Sequence, residues 1–452
     1  MPLEVLSDPS SATPPHKTEV GSYFVSNYPP FSAWSAGQVP EAEKALDSEP
    51  NLETKLGLYL HIPFCRKRCK FCYFRVYTDK NASDVDIYTD TLAKEIQMYA
   101  ARRGIGKREF EFVYFGGGTP SFLSNDQLKR LVDKIRESWS WAAAREVTFE
   151  CEPGTLKESK LKTIKEIGVT RLSLGVEHFD DEVLALNGRA HRSPEVFKAY
   201  DWARSMGFHQ INIDLIAGML GETEDKWKMT VEKALAMAPD SVTIYQMEVP
   251  FNTVIAKEAK QEAGVASAAH LETPVAGWDD KRRWVSYAFD LFTKAGYVVS
   301  SAYTMVKPGP HAGFVYRDSM WRGADMVGTG VASFSHFQGV HYQNVDTWEQ
   351  YLERVSRGEL PIHRALAITD HQRLIREMIL QMKTGKIQPS YFKKKFGEDI
   401  LQVFGGQFAG LQSEGFAEIS GDQVALTRAG LLRADELLSR FFEPQFQNIR
   451  YT

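Results

Sequence analysis

The sequence predicts an α/β protein: a parallel sheet forming an open or partial barrel, followed by a separate, mostly helical, winged-helix-like unit. Three observations predict it. From Gly57 onward, six short β-branched or aromatic runs alternate with amphipathic helical stretches, the pattern of right-handed βαβ units. Glycines and carboxylates recur where those runs end, and ligands of such sheets collect at the carboxyl ends of the strands. Past about residue 364 the pattern turns helical and closes on a short hairpin.

Taken in order, residues 1–20 are rich in Pro, Ser and Thr and read as a disordered tail. Residues 21–56 begin with an aromatic, proline-rich stretch, Tyr23 to Trp34, without helical or strand period. It cannot form a core alone and is expected to lie over the main domain and part of the active site. The core with its extension spans 57–363, with strands at 57–62, 110–115, 146–151, 170–175, 211–216 and 241–247. Helices are expected near 84–104, 124–138, 158–166, 193–206 and 224–236. A further β-containing segment, 297–335, ends in the glycine-rich Gly328 to Ser335, expected to press closely on a bound ligand. Residues 364–452 form the last unit, with helices over Ala367 to Lys386, Gln388 to Gly397 and Asp399 to Glu414, then a hairpin turning at Ser420-Gly421-Asp422. Lys393, Lys394 and Lys395 make it conceivable as a DNA-binding unit, but the acidic chain favours a lid or substrate domain.

With 452 residues the chain has room for about two or three domains. A formal net charge of −4 leaves no electrostatic footprint for nucleic acid. No apolar run approaches the roughly 18 residues of a bilayer span, and Met1 to Val20 lacks a signal-peptide apolar region, so a cytoplasmic protein is expected. Four cysteines, three of them clustered, make no disulfide framework.

That cluster organises the chain. Cys65, Cys69 and Cys72 follow the first strand with C-x3-C-x2-C spacing, so one loop can wrap three thiolates around one inorganic centre. A structural zinc site and a simple electron-transfer cluster both want four ligands. Three leave one position open, and the spacing matches the signature of the radical S-adenosylmethionine (SAM) enzymes, in which SAM chelates the open iron of a [4Fe–4S] cluster. The alternatives are three surface thiols, or zinc completed by His61. His61 lies inside the predicted strand, and the order of strand, cysteine loop and helix favours a cluster. Cys151 follows an apolar alternation and reads as a small buried residue. Arg66, Lys67, Arg68 and Lys70 make either a solvated basic loop or a docking surface for an acidic flavodoxin or ferredoxin.

The other strand ends supply polar groups in series. Gly116-Gly117-Gly118-Thr119 follows the second strand and lets the backbone approach a ligand. Glu150 and Glu152 end the third, Glu177 the fourth with Arg189 beyond it, and Asp214 lies in the fifth. Together they offer carboxylates for ribose hydroxyls and a guanidinium for a carboxylate.

At this point the chain resembles the oxygen-independent coproporphyrinogen III oxidase family of radical SAM proteins. Y-x-H-I-P-F-C appears at Tyr59 to Cys65, W-G-G-G-T-P as Phe115 to Pro120, and R-L-S-x-G-V-Q as Arg171 to Glu177. N-I-D-L-I-x-G runs from Asn212 to Gly218, and L-T-x-x-G from Leu426 to Gly430. The resemblance implies a partial (β/α)6, TIM-like radical SAM barrel with a helical C-terminal domain. It implies a cluster on Cys65, Cys69 and Cys72, and SAM contacts from Tyr59, Phe71, Gly117, Gly118, Thr119, Glu150, Glu177, Arg189, Asp214 and Phe334. Family members can hold two SAM molecules, the outer of these residues serving the second. Three departures stand out: Phe74 replaces the family's further cysteine, Glu177 a glutamine, and Phe24 to Pro30 the entry motif. Tyr316 to Trp321 lacks the His-Asn pair of the haem-chaperone branch. These departures point to class C radical SAM methyltransferases, which use two SAM to methylate an sp2 carbon of an aromatic substrate such as a quinone ring. The alternative is oxidative decarboxylation of coproporphyrinogen III, and after it a haem chaperone. The expected partners are an aromatic or tetrapyrrole substrate, which if lipophilic would bring a monomeric protein to the membrane surface, and the electron donor.

Overall fold

The computed structural model describes residues 25–250, 252–263 and 275–447. The expected tail, with Tyr23 and Phe24, lies outside them. Six parallel strands form the centre of the main sheet: β1 (Leu56–Ile62), β2 (Phe110–Gly117), β3 (Glu146–Cys151), β4 (Arg171–Glu177), β5 (Gln210–Ala217) and β6 (Ser241–Gln246). They lie side by side in sequence order, each in parallel register with the next. Their side chains are buried along nearly the whole of each strand because helices cover the sheet. The helices start where the sequence supplies caps. Asn81 and Ser124 each close a reciprocal capping box at the heads of Ala82–Ala100 and Asn125–Arg136, and Thr223 caps Glu224–Ala236.

The helix expected to reach residue 104 stops at Ala100. Gly104 instead donates its N–H to the Leu46 carbonyl at 2.7 Å, turning the chain onto a helix, Val39–Asp47, that the aromatic and proline-rich N-terminal reading did not contain. Outside β1 the sheet continues through Asp325–Thr329, which is parallel to β1, and then three antiparallel strands, Phe334–Phe337, Val340–Asn344 and Ile362–Ala367. Outside β6 it ends in the short antiparallel strands Thr304–Val306 and Val298–Val299. The sheet therefore forms a barrel-like centre with antiparallel wings.

The expected break at 363/364 falls inside Ile362–Ala367, which is hydrogen-bonded into this sheet. A second apolar cluster begins with the helix Asp370–Met382 and takes in Pro389–Phe396, Gly405–Ser413 and the hairpin Ala417–Ser420 with Gln423–Leu426. Val25 and Tyr28 are buried in it, and the Tyr28 hydroxyl donates to Glu443 at 2.9 Å. The N-terminal aromatic segment thus packs on the C-terminal unit and the antiparallel wing. None of its described residues lines the cavity where it was expected to lie. No helix among the described residues is long and apolar enough to cross a membrane.

Candidate active site

A cavity of about 430 Å³ opens at the carboxyl ends of the parallel strands. The cysteine loop forms one wall. Backbone bonds from Cys65 N–H to the Tyr77 carbonyl (3.0 Å) and from Tyr77 N–H to the Pro63 carbonyl (2.7 Å) pin one end of that loop, and Lys70 N–H donates to the Asn187 carbonyl (3.0 Å) further along. Cys65, Cys69 and Cys72 all reach the cavity, and none is in a disulfide.

The donor set fits a metal cluster. Burial pushes the Cys65 thiol up to about 11 and that of Cys72 to about 12, so bare thiols there stay protonated and a bound cation is needed to hold them as thiolates. Donors are already aimed at two sulfurs: Thr119 Oγ1 lies 3.3 Å from Cys65 Sγ, and Arg189 Nη1 lies 3.2 Å from Cys69 Sγ. No trio of His, Cys, Asp and Glu among the described residues is set to grip one metal ion. That says nothing against a cluster, whose thiolates each take a different iron. His61, the fourth ligand of the zinc alternative, is buried, and burial takes its ring down to about 4. It packs on Gly117, where a Cβ would come within 2.7 Å of the imidazole.

β2 brings its glycines against the loop. Gly118 N–H donates to the Ile62 carbonyl at 2.9 Å, and a Cβ there would lie 2.9 Å from the Phe64 oxygen. Gly117, at φ +110°, adopts a conformation that only glycine takes without strain, and its N–H donates to Glu150 at 3.2 Å. Three carboxylates follow from successive strands. Burial pushes Glu150 up to about 7 even though the Tyr114 hydroxyl donates to it at 2.7 Å. Burial does the same to Glu177, to about 7, against the nearby Arg189 charge. Asp214 is also raised by burial, although Ser173 and Asn212 donate to it at 2.8 and 2.9 Å. A bulge at the end of β4 leaves Glu177 at φ +64°, a left-handed conformation unusual for a glutamate and one that swings it beside Arg189, 3.6 Å away.

Phe71, Gly117, Gly118, Thr119, Glu150, Glu177, Arg189 and Asp214 all line the cavity. Tyr59 and Phe334 do not. Tyr59 stacks on Tyr114 at 5.8 Å, which occupies the place nearer the cavity. Phe334 is held by Phe31 at 4.3 Å and Trp34 at 5.7 Å. The Gly328 to Ser335 loop likewise folds onto its own support: Gly330 N–H donates to buried Glu95 at 2.7 Å and Val331 N–H to the Tyr88 hydroxyl at 3.1 Å. Of the basic residues near the cysteines, Arg66 forms a two-pronged pair with Glu152 (2.8 and 3.0 Å) and Lys70 pairs with Glu258 at 2.9 Å, while Lys67 and Arg68 are exposed with no ion pair among the described residues. Burial alone would raise Glu152, but its bonds to His191 and Arg66 win and take it to about 2. Cys151 is buried, as expected.

Sequence reading missed the rest of the cavity lining, which includes Tyr245, Trp278, Arg282, Tyr303 and the C-terminal segment Leu431 to Glu436. Only the alternation along β6 hinted at any of it.

Residues 59–234 match the Radical SAM superfamily, and the chain carries a Radical SAM domain. Such a domain implies a [4Fe–4S] cluster and SAM. The chain is 28% identical over 389 residues to the heme chaperone HemW of Bacillus subtilis (strain 168), covering 85% of this chain and 98% of that protein. It is 26% identical over 399 residues to the oxygen-independent coproporphyrinogen III oxidase of Escherichia coli (strain K12), covering 84% of each. The solved structure of coproporphyrinogen III oxidase (HemN) from E. coli, described as a radical SAM enzyme, superposes with a TM-score of 0.80 at 23% identity, over 93% of this chain and 96% of that one. This chain therefore has the HemN-like α/β fold. The methyl transfer expected from Phe74 and Glu177 finds no support in the matched superfamily or in these relatives.

Proposed function

We propose that the protein is a radical SAM enzyme acting on a tetrapyrrole, converting propionate side chains of coproporphyrinogen III, or a close relative of it, to vinyl groups. One observation carries this reading: a single cavity joins the three cysteines, a buried guanidinium and three strand-end carboxylates to an aromatic wall. The homologues named coproporphyrinogen III oxidase support the choice of substrate class. Cys65, Cys69 and Cys72 would hold the cluster. Bound there, the cluster and SAM would supply radical chemistry, a one-electron cleavage of SAM that provides a hydrogen-abstracting 5′-deoxyadenosyl group. Arg189 sits where it can pair with a carboxylate near Cys69, while Glu177 and Asp214 are placed to accept hydroxyls and Glu150 an ammonium. The raised values of these carboxylates mean that a cationic or hydroxyl-rich ligand regains solvation they lost on folding. Tyr245 and Tyr303, stacked 6.1 Å apart at 26°, give a flat ring an apolar seat. Overall, each propionate loses one hydrogen atom, one electron and CO₂.

The test is anaerobic turnover of the reconstituted protein with SAM, a low-potential reductant, an electron acceptor and coproporphyrinogen III. Deoxyadenosine and CO₂ formed together support the reading. Deoxyadenosine with S-adenosylhomocysteine and a methylated product would overturn it in favour of methyl transfer. Stoichiometric haem binding with neither product would favour a carrier.

A further inference from the structure

Away from the cysteine loop, the cavity lining carries two guanidiniums with few protein acceptors among the described residues. Arg282, on the helix Trp278–Lys294, and Arg433, in the turn before Ala434–Leu438, both line the cavity. They share one carboxylate: Glu436 accepts from Arg282 Nη2 at 2.8 Å and Arg433 Nη1 at 3.3 Å. Their other acidic neighbour, Asp279, lies 3.6 and 3.8 Å away with its side chain 91% exposed, so water takes most of that interaction. Two guanidiniums present five N–H donors each. Arg282 is only 14% exposed, its buried Nε has no partner among the described residues, and burial together with the Arg433 charge depresses its affinity for its proton.

The remaining acidic groups in this part of the lining do not relieve the pair. Asp435 is taken by the buried Lys383 ammonium at 2.7 Å, by Val25 N–H at 2.9 Å and by the Tyr303 hydroxyl. Glu248 faces that same lysine. The Trp278 ring lies 5.7 Å from the Arg282 guanidinium and also lines the cavity, so cation and aromatic surface are presented side by side.

We infer that Arg282 and Arg433 form a carboxylate clamp for the substrate, gripping a carboxylate that does not react while the reacting edge of the ring faces Cys65, Cys69 and Cys72. The inference rests on the tetrapyrrole reading for the substrate's class. It adds that recognition is of acid groups and that this helix and this C-terminal turn supply it together. A planar guanidinium pair suits two-pronged binding of a carboxylate, which a lysine cannot reproduce.

The experiment titrates the cluster-loaded protein, with SAM present and no reductant, with coproporphyrin III and with its tetramethyl ester, reading the Soret band. Arg282→Gln and Arg433→Gln should each weaken binding of the free acid about tenfold or more and leave the ester unchanged. Arg282→Lys should recover only part of the loss. Arg283→Gln, one residue along the helix and paired outward with Glu224 at 3.0 Å, should bind as the parent does. Equal binding of the acid by parent and Gln variants overturns the clamp. So does parallel loss of acid and ester, which would mean damaged packing, and so does absence of porphyrin binding by the parent. Binding is read without turnover. A protein that grips the acid through these arginines yet releases no CO₂ fails only the reaction reading, and one that releases CO₂ while the variants bind normally fails only the clamp.

Discussion

Two regions are expected from the sequence to face a bound ligand, the ends of β3 to β5 and the Gly328 to Ser335 loop, and the structure gives them opposite work. Each places buried carboxyl chemistry beside glycine-rich backbone. At the strand ends, burial raises Glu150 and Glu177 to about 7; Glu150 keeps two donors, Tyr114 and Gly117, while Glu177 has Arg189, 3.6 Å away, as its cation and the Asp214 carboxylate as a like-charged neighbour. Behind the loop, burial raises Glu95 to about 7 as well, but three groups of the protein itself satisfy it: Gly330 N–H, Asn344 Nδ2 and the Tyr351 hydroxyl, each at 2.7 Å. The shift in pKa is the same, and the surroundings differ. A buried acid facing a cavity is left for a ligand to complete, whereas one ringed by its own chain's donors is a structural pin.

The largest effect that would break this contrast is at Arg189. It donates to Cys69 Sγ and to the Gly175 carbonyl at 2.6 Å, and it is the cation nearest Glu177. Arg189→Met should weaken SAM binding by roughly a hundredfold, since it removes the guanidinium proposed to pair with the SAM carboxylate. Equilibrium dialysis of the cluster-loaded variant with labelled SAM measures this. Binding within about threefold of the parent would place SAM elsewhere.

What the sequence made legible follows from distance along the chain. Strands β1 to β6 and their helices could be read because each is a local period with a local cap, as at Ser124 and Gln127. Cys65, Cys69, Cys72, the glycines and Glu150, Glu177 and Asp214 could be placed at one end of the sheet because each lies in or just after a recognisable strand. Arg433 was not legible. It belongs to the cavity only because the C-terminal turn folds back onto β6, where Gln246 donates to the Leu432 carbonyl at 3.1 Å, and nothing around residue 433 announces that contact. Phe334 lies away from the cavity lining for the converse reason. Its motif neighbours suggest a ligand contact, but its ring is claimed by Phe31, some 300 residues earlier in the chain.

Glu95 sharpens the contrast through pH. Its folded-state value, about 7, lies above its ordinary 4.5, so its contribution to stability is fullest below about 4.5 and is lost as pH rises through 7. Glu95→Gln removes this titration. Between pH 5 and pH 8 the variant should lose less stability than the parent, by on the order of 2 kcal/mol, in urea unfolding followed by circular dichroism. Identical slopes would mean that Glu95 is ionised as freely in the fold as in the unfolded chain.

The smallest effect, and the most direct test of the reassigned loop, is at Phe334. Truncation to alanine removes ring contacts with Phe31 and Trp34, and Trp34 is itself stacked on His341 at 5.2 Å and 5°. The side chain is only partly buried, so the loss of stability should be about 1–2 kcal/mol, below the range for a fully buried phenylalanine. SAM affinity should not move, because the ring does not line the cavity. A tenfold loss of SAM binding at unchanged stability would return Phe334 to the site and make the loop, like the strand ends, a surface left for a ligand to complete.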